Sequence, residues 1–152
     1  MYQLHREPPD WRWQETPDEF LFQVEPPAEI HEDVALNLSL SATIENRRIF
    51  NTLGQENLSI WKMTVTEPNN DSLKGRGQLR MFRQQFRLLL DRIKSRHGQG
   101  AVLHVFPAVP VSIAVEIGRV WMPKADLPLC IYDQNRNLNG FVKALDFLRD
   151  DK

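Results

Sequence analysis

Cysteine is almost absent: Cys130 is the only one in 152 residues. One thiol excludes an intrachain disulfide scaffold and any zinc site built from several cysteines. No apolar run approaches the ~18 residues a membrane-spanning helix needs. The first residues lack a basic stretch followed by an apolar one, so no secretory signal is visible. A soluble, cytoplasmic protein that does not touch a membrane is the expectation. Also missing are a G-x-S-x-G elbow, a Walker loop, a G-x-G-x-x-G turn and any paired-cysteine motif. These absences favour a binding domain over an enzyme, with no catalytic residues, metal or cofactor expected.

What is present is enough for a packed domain. The chain is 41% hydrophobic and 26% charged, outside the range of disordered or fibrous sequences. Its length fits one domain with a real core. The formal net charge is −1, which argues against a generic polyanion binder. That sum hides an uneven distribution. Residues 1–33 carry Arg6 and Arg12 against nine acids. Residues 73–97 carry eight bases against Asp91 alone. The acidic start and basic middle are candidates for pairing between copies of the chain.

Residues 1–33 also hold Pro8, Pro9, Pro17, Pro26 and Pro27, with Trp11, Trp13, Phe20 and Phe22 among them. Prolines at this density prevent a long helix. The segment reads as an acidic, aromatic lead-in with one short strand near Phe20–Val24. The domain proper is expected to run over 34–152.

From Val34 a regular alternation begins. Strands are predicted at Val34–Leu40, Ser59–Thr66, Ala101–Phe106 and Pro128–Tyr132, all apolar-rich. Helices are predicted at Asn46–Leu53, stopped by Gly54, at Gln78–Arg96 and at Pro110–Trp121. A fourth is predicted at Asn139–Arg149, with Phe141, Ala144, Leu145 and Leu148 inward. The helix at Pro110–Trp121 is apolar nearly all round, so burial on two sides is expected, and Gly118 inside it is compatible with close backbone approach or a frayed end. Alternating strands and helices argue an α/β fold: a Rossmann-like, mostly parallel sheet with helices on both faces.

In such sheets ligands sit outside the carboxyl ends of the strands. The loop Ser39-Leu40-Ser41-Ala42-Thr43 offers small hydroxyls where amides favour an anion; the same residues also serve as helix caps. Lys74-Gly75-Arg76-Gly77 combines a free backbone with two cations, suited to a phosphate or simply to an exposed loop. Phe106-Pro107-Ala108-Val109-Pro110 is apolar and suits a base, or is a rigid turn. Arg80, Arg83, Arg87 and Lys94 mark the polar face of the long helix, which is either solvated or set against a counter-charged partner. His104 lies mid-strand and reads as a hydrogen-bonded core residue. Cys130 lies within an apolar strand and reads as buried and inert.

The stretch from His104 to Arg119, with its His-x-Phe strand, small-Pro loop and Ala114-Val115-Glu116-Ile117-Gly118-Arg119 helix, resembles the C-terminal portion of SAVED domains. Met122-Pro123-Lys124-Ala125-Asp126, the strand ending Ile131-Tyr132-Asp133, and Leu38-Ser39-Leu40-Ser41 are similar to that family too. The resemblance covers roughly 34–148. It implies a sensor built from two CARF-like halves, of which this chain has room for one; it would then be a fragment or a separate subunit. It implies a cyclic di-, tri- or tetranucleotide ligand, ligand-driven oligomerisation, and an effector in an antiphage system of the CBASS or type III CRISPR kind. Carried over, it implies Ser39 and Ser41 for phosphate or ribose. Phe106, Pro107, Ala108 and Val109 would wall a base, while Lys74, Arg76 and Lys124 would meet phosphate. Asp133 would take a ribose hydroxyl or exocyclic amine. Two other readings compete. One is an assembly subunit that binds no ligand, and the other a phosphodiesterase-like enzyme, for which no activated base or metal site is visible.

Overall fold

The computed structural model describes residues 22–66, 68, 76–135 and 140–148. Nine elements follow one another: β1 (Gln23–Glu25), β2 (Asp33–Ser39), α1 (Asn46–Leu53), β3 (Leu58–Thr64), α2 (Arg76–His97), β4 (Leu103–Ala108), α3 (Val111–Val120), β5 (Leu129–Asn135) and β6 (Gly140–Phe147). The strands form one six-stranded sheet in the order β1-β3-β2-β4-β5-β6. The four central strands run parallel, while β1 and β6 pair antiparallel to β3 and β5 at the two margins. The sheet is therefore mixed. Only residues 136–139 separate β5 from β6, too few for the crossover that a parallel neighbour requires.

Side-chain alternation along β2 splits the interior into two layers. Val34, Leu36 and Leu38 face one core with Phe82, Phe86, Leu89 and Ile93 of α2 and Ile113 and Ile117 of α3. Ala35 faces the other, with Ile49 of α1, Ile60, Phe106 and Tyr132. Helices thus lie on both faces, as the pattern predicts. The apolar spacing of α2 turns Phe82, Phe86, Leu89, Leu90 and Ile93 inward, with Phe82 and Phe86 stacked at 5.1 Å. α1 ends where Gly54 turns left-handed at φ 66° and donates its amide to the Phe50 carbonyl.

Two expectations are corrected, and one of the two alternatives for Gly118 is excluded. The last segment is strand β6, not a helix. Phe141 alone of its four predicted inward residues is buried; Ala144, Leu145 and Leu148 are exposed. A register shift between the Ile131 and Tyr132 pairings breaks the two-residue alternation, so the apolar spacing mimics a helix. α3 is buried on one side only, and that side includes Ser112 and Glu116, while Val111 is 71% exposed. Gly118 has open space where a Cβ would stand, so no backbone approaches it. The predicted lead-in strand falls partly outside the described residues, but β1 joins the main sheet through Val24 opposite Met63.

Candidate functional site

The carboxyl edge of β2 is organised by a buried polar chain. The Ser39 hydroxyl donates to Asn37 Oδ1 at 2.6 Å and accepts the Ile44 amide at 3.0 Å. Asn37 Nδ2 in turn donates to the Ile44 carbonyl and to Asn46 Oδ1. Thr64 of β3 donates its hydroxyl to the Ser39 carbonyl at 2.8 Å. Buried polar groups must be paired, and here the pairing fixes the path of residues 40–46 into α1. Ser39 is itself fully buried. It holds the loop that carries Ser41 and does not itself reach the surface.

The loop after β2 is clamped to the loop after β4. The amides of Leu40 and Ser41 both donate to the Ala108 carbonyl, at 2.9 and 2.8 Å. Ser41, Ala108, Val109 and Pro110 are brought together in this way, next to the amino end of α3. Pro107 lies in the strand opposite Leu38. Phe106 is enclosed under α1, stacked on Tyr132 at 4.4 Å and edge-on to Phe141 at 5.2 Å. It supports the wall from behind. A helix start beside small hydroxyls and backbone amides is a place where an anion is stabilised.

The cations are distributed by the packing of α2 on α3. Arg83 Nε lies 3.5 Å from Glu116 Oε2, and Arg87 Nη1 donates to the Val120 carbonyl at 3.2 Å. Both sequence numbers rise together, so the helices run parallel in a fixed register. With equal rise per residue, Arg80 comes level with Ile113, and Arg76 with Val109, one and two turns back. Both arginines are exposed. Arg80 was visible in the sequence only as one member of a charge run, since a pairing across helices leaves no local spacing signal. Lys74 lies outside the described residues. Lys124 is not part of this edge: it sits in the turn after α3, at the amino ends of the strands. Asp133 is at the carboxyl end of β5, exposed, and accepts the Gln134 amide at 2.9 Å.

Clefts lined by described residues also lie elsewhere. One, of about 330 Å³, opens between Pro26–Pro27, β3 and α1. Another, of about 510 Å³, lies at the amino edge between Asp33, His97, His104, Cys130 and Lys143. His104 shares a hydrogen bond with the Tyr132 hydroxyl at 2.9 Å. Burial pushes the His104 pKa down and the Tyr132 pKa up to about 12, so both are neutral near pH 7. Burial likewise pushes the Cys130 thiol up, which leaves it protonated. Among the described residues no group of three or more His, Cys, Asp or Glu could hold a metal ion. No described helix is long and apolar enough to cross a membrane.

A protein-family model matches residues 1–147: the SMODS-associated and fused to various effectors sensor domain, SAVED. The match includes the acidic lead-in as well as the sheet. No curated protein matches the chain.

Proposed function

The chain belongs to the SAVED family of sensor domains, and from that premise we propose that it receives a cyclic oligonucleotide messenger and passes the signal to an effector. The messenger is received at the carboxyl edge of β2 and β4. The observation that carries this reading is the pair of hydrogen bonds that the Leu40 and Ser41 amides donate to the Ala108 carbonyl, which sets a hydroxyl, a backbone turn and the start of α3 side by side. Arg76 and Arg80 supply positive charge at that level of the sheet. A phosphodiester needs two or three such donors, and Ala108 and Val109 offer the apolar surface a base requires. The chain contributes one half-site, and the ring is closed by a second CARF-like unit.

Calorimetry with a panel of cyclic di-, tri- and tetranucleotides tests the reading. Binding by the chain, alone or joined to its complementary half, is the expected result; no binding in either form refutes it. Ser41→Asp sharpens the test. Its carboxylate occupies the anion position at the start of α3 and repels phosphate, so affinity falls by at least about tenfold. The Ser41 backbone bond to Ala108 needs no side chain, so the thermal midpoint stays unchanged. Equal affinity in the variant removes Ser41 from the site.

A further inference from the structure

On the face of the sheet opposite α2 and α3, α1 is the one described helix. It shares the cover of β3 with the strap that runs from Glu25 to His31. Between helix and strap lies the cleft of about 330 Å³, a volume at the small end of ligand pockets. Its floor is Leu58, Ile60 and Lys62, alternate residues and so on one face of the strand. Phe50 of α1 forms one wall and Pro27 of the strap the other.

One end of this cleft holds charges without partners. Glu25 and Lys62 are register partners across β1 and β3, so their side chains leave the same face with Cβ atoms about 5 Å apart. Among the described residues neither is hydrogen-bonded or ion-paired. On its other side Lys62 is in register with Asn37, whose Nδ2 donates to Asn46 Oδ1 at 3.0 Å. Asn46 lines the cleft, and with its oxygen engaged its NH2 group is left as a donor. The neighbouring charges are occupied. Glu29 lies 3.4 Å from His31 Nε2, Arg47 pairs with Glu45 at 2.9 Å, and Arg48 lies 4.6 Å from the Phe141 ring.

This set of groups selects its ligand. A phosphate is disfavoured, because Glu25 and Glu29 line the cleft against the one ammonium of Lys62. A simple cation is repelled by Lys62, and no metal-holding cluster exists among the described residues. A zwitterion answers both signs: an ammonium meets Glu25, while a carboxylate meets Lys62 and Asn46. Beyond that head, Ile60 stands two residues along the strand, about 7 Å from Lys62. That is the reach of a branched aliphatic or benzyl side chain. We propose that this cleft binds a free α-amino acid with an apolar side chain, its head between Glu25, Lys62 and Asn46 and its tail on Ile60 between Phe50 and Pro27. The site shares no residue with the messenger site and does not rest on that reading.

Calorimetry of the whole chain with L-leucine and L-phenylalanine, without messenger, reads it. The expected result is saturable binding of at least one of them. Leucinamide lacks the carboxylate and stands in for the amino end of a peptide. N-acetyl-leucine lacks the ammonium and stands in for the carboxyl end. Glycine lacks the tail. Each binds at least about tenfold more weakly than the complete amino acid. Glu25→Gln and Lys62→Gln each weaken leucine binding by a similar factor, and unchanged thermal melts of the free variants verify the fold. No saturation by either amino acid up to about 10 mM, a derivative as tight as its parent, or variants that bind like the native chain overturns the proposal. The derivatives are tested on the native chain, so they decide even where a variant folds poorly. Failure here leaves the calorimetric test of the messenger site untouched.

Discussion

Asp126 joins three parts of the chain, and its neutralisation has a calculable cost. Its carboxylate is buried, with 3% of the side chain exposed. It accepts both Nη atoms of Arg87, one of them at 3.0 Å, and the Met122 amide at 2.7 Å. Arg87 also donates to Asp91 at 2.6 Å and to the Val120 carbonyl at 3.2 Å, so α2, the end of α3 and the approach to β5 are tied at one point. Asp126→Asn keeps the shape but turns one oxygen into a donor facing a guanidinium. Removing one partner of a buried pair costs roughly 3–5 kcal/mol. Arg87 is 26% exposed and keeps Asp91, which lowers the figure to about 2–3 kcal/mol. For a chain of this size that is a fall of about 4–12 °C in thermal midpoint. Urea titration of the variant measures it directly, and a cycle with Arg87→Met isolates a coupling of about 1–3 kcal/mol. The pH dependence has a defined sign. Burial raises the Asp126 pKa, but the Arg87 and Met122 hydrogen bonds outweigh it and hold the group below the usual carboxylate value. A depressed carboxylate stabilises above the unfolded pKa of about 3.9 and loses that contribution as pH falls through the folded value. The gap between native and variant chains is therefore flat near neutrality and closes in acid. A loss under about 0.5 kcal/mol refutes the reasoning, because it equals an exposed ion pair.

Two further perturbations address the site and the far edge of the sheet. Ser39→Ala strands the buried Ile44 amide and frees Asn37, at a cost of about 1–3 kcal/mol by urea titration, and lowers messenger affinity as the Ser41 loop loosens; a neutral result contradicts the assigned network. His97 is the second: Trp61 Nε1 can only donate, so His97 Nε2 is bare at 3.0 Å and its Nδ1 proton goes to the His31 carbonyl at 2.9 Å. Burial depresses the His97 pKa more than the His31 bond raises it, so its stabilising share is complete above the unfolded pKa of about 6.5 and declines as pH drops below it. His104 declines in the same window, so the informative quantity is the difference between native chain and His97→Gln, whose stability falls less between about pH 7.5 and 5.5; identical profiles count against the bond.

Elements with a local signature were legible in the chain. Val34–Leu38 is apolar apart from Asn37, and it is a buried central strand. Asn46–Leu53 ends at a glycine, and that glycine takes the left-handed turn a side chain resists. The final segment was not legible, because Phe141, Ala144, Leu145 and Leu148 stand at helical spacing. The irregularity that shifts Lys143 and Leu145 onto successive β5 partners depends on β5, which local periodicity does not contain. Likewise α3 looked apolar all round, yet its polar pair Ser112 and Glu116 faces inward. Glu116 is buried because α2 brings Arg83 to it from 33 residues away.

The basic run of α2 shows what charge counting contains and what it leaves out. Eight bases against one acid read as a surface awaiting a partner. Much of that charge is engaged within the chain. Arg87 holds Asp126 and Asp91, Arg83 approaches Glu116, Lys94 donates to the Ala125 carbonyl, and Arg92 lies 5.2 Å from the Trp61 ring. Stacking of copies through the whole helix against an acidic lead-in would have to compete with these contacts. Arg83 and Arg92 stay exposed while making these contacts; the other exposed bases stand at Arg76 and Arg80, at the start of the helix near the amino end of α3, and at Arg96, at the far end. The middle of α2 is a strut, fixed by the partners it needs. That fixation gives its first turns a defined position against α3. An arginine that meets a phosphate must be held in place before the ligand arrives, or ordering it consumes the binding energy. The internal ion pairs of α2 and the cations at its start are therefore two parts of one arrangement: the first offsets charge within the chain and fixes the helix, and the second presents what is left toward the carboxyl edge.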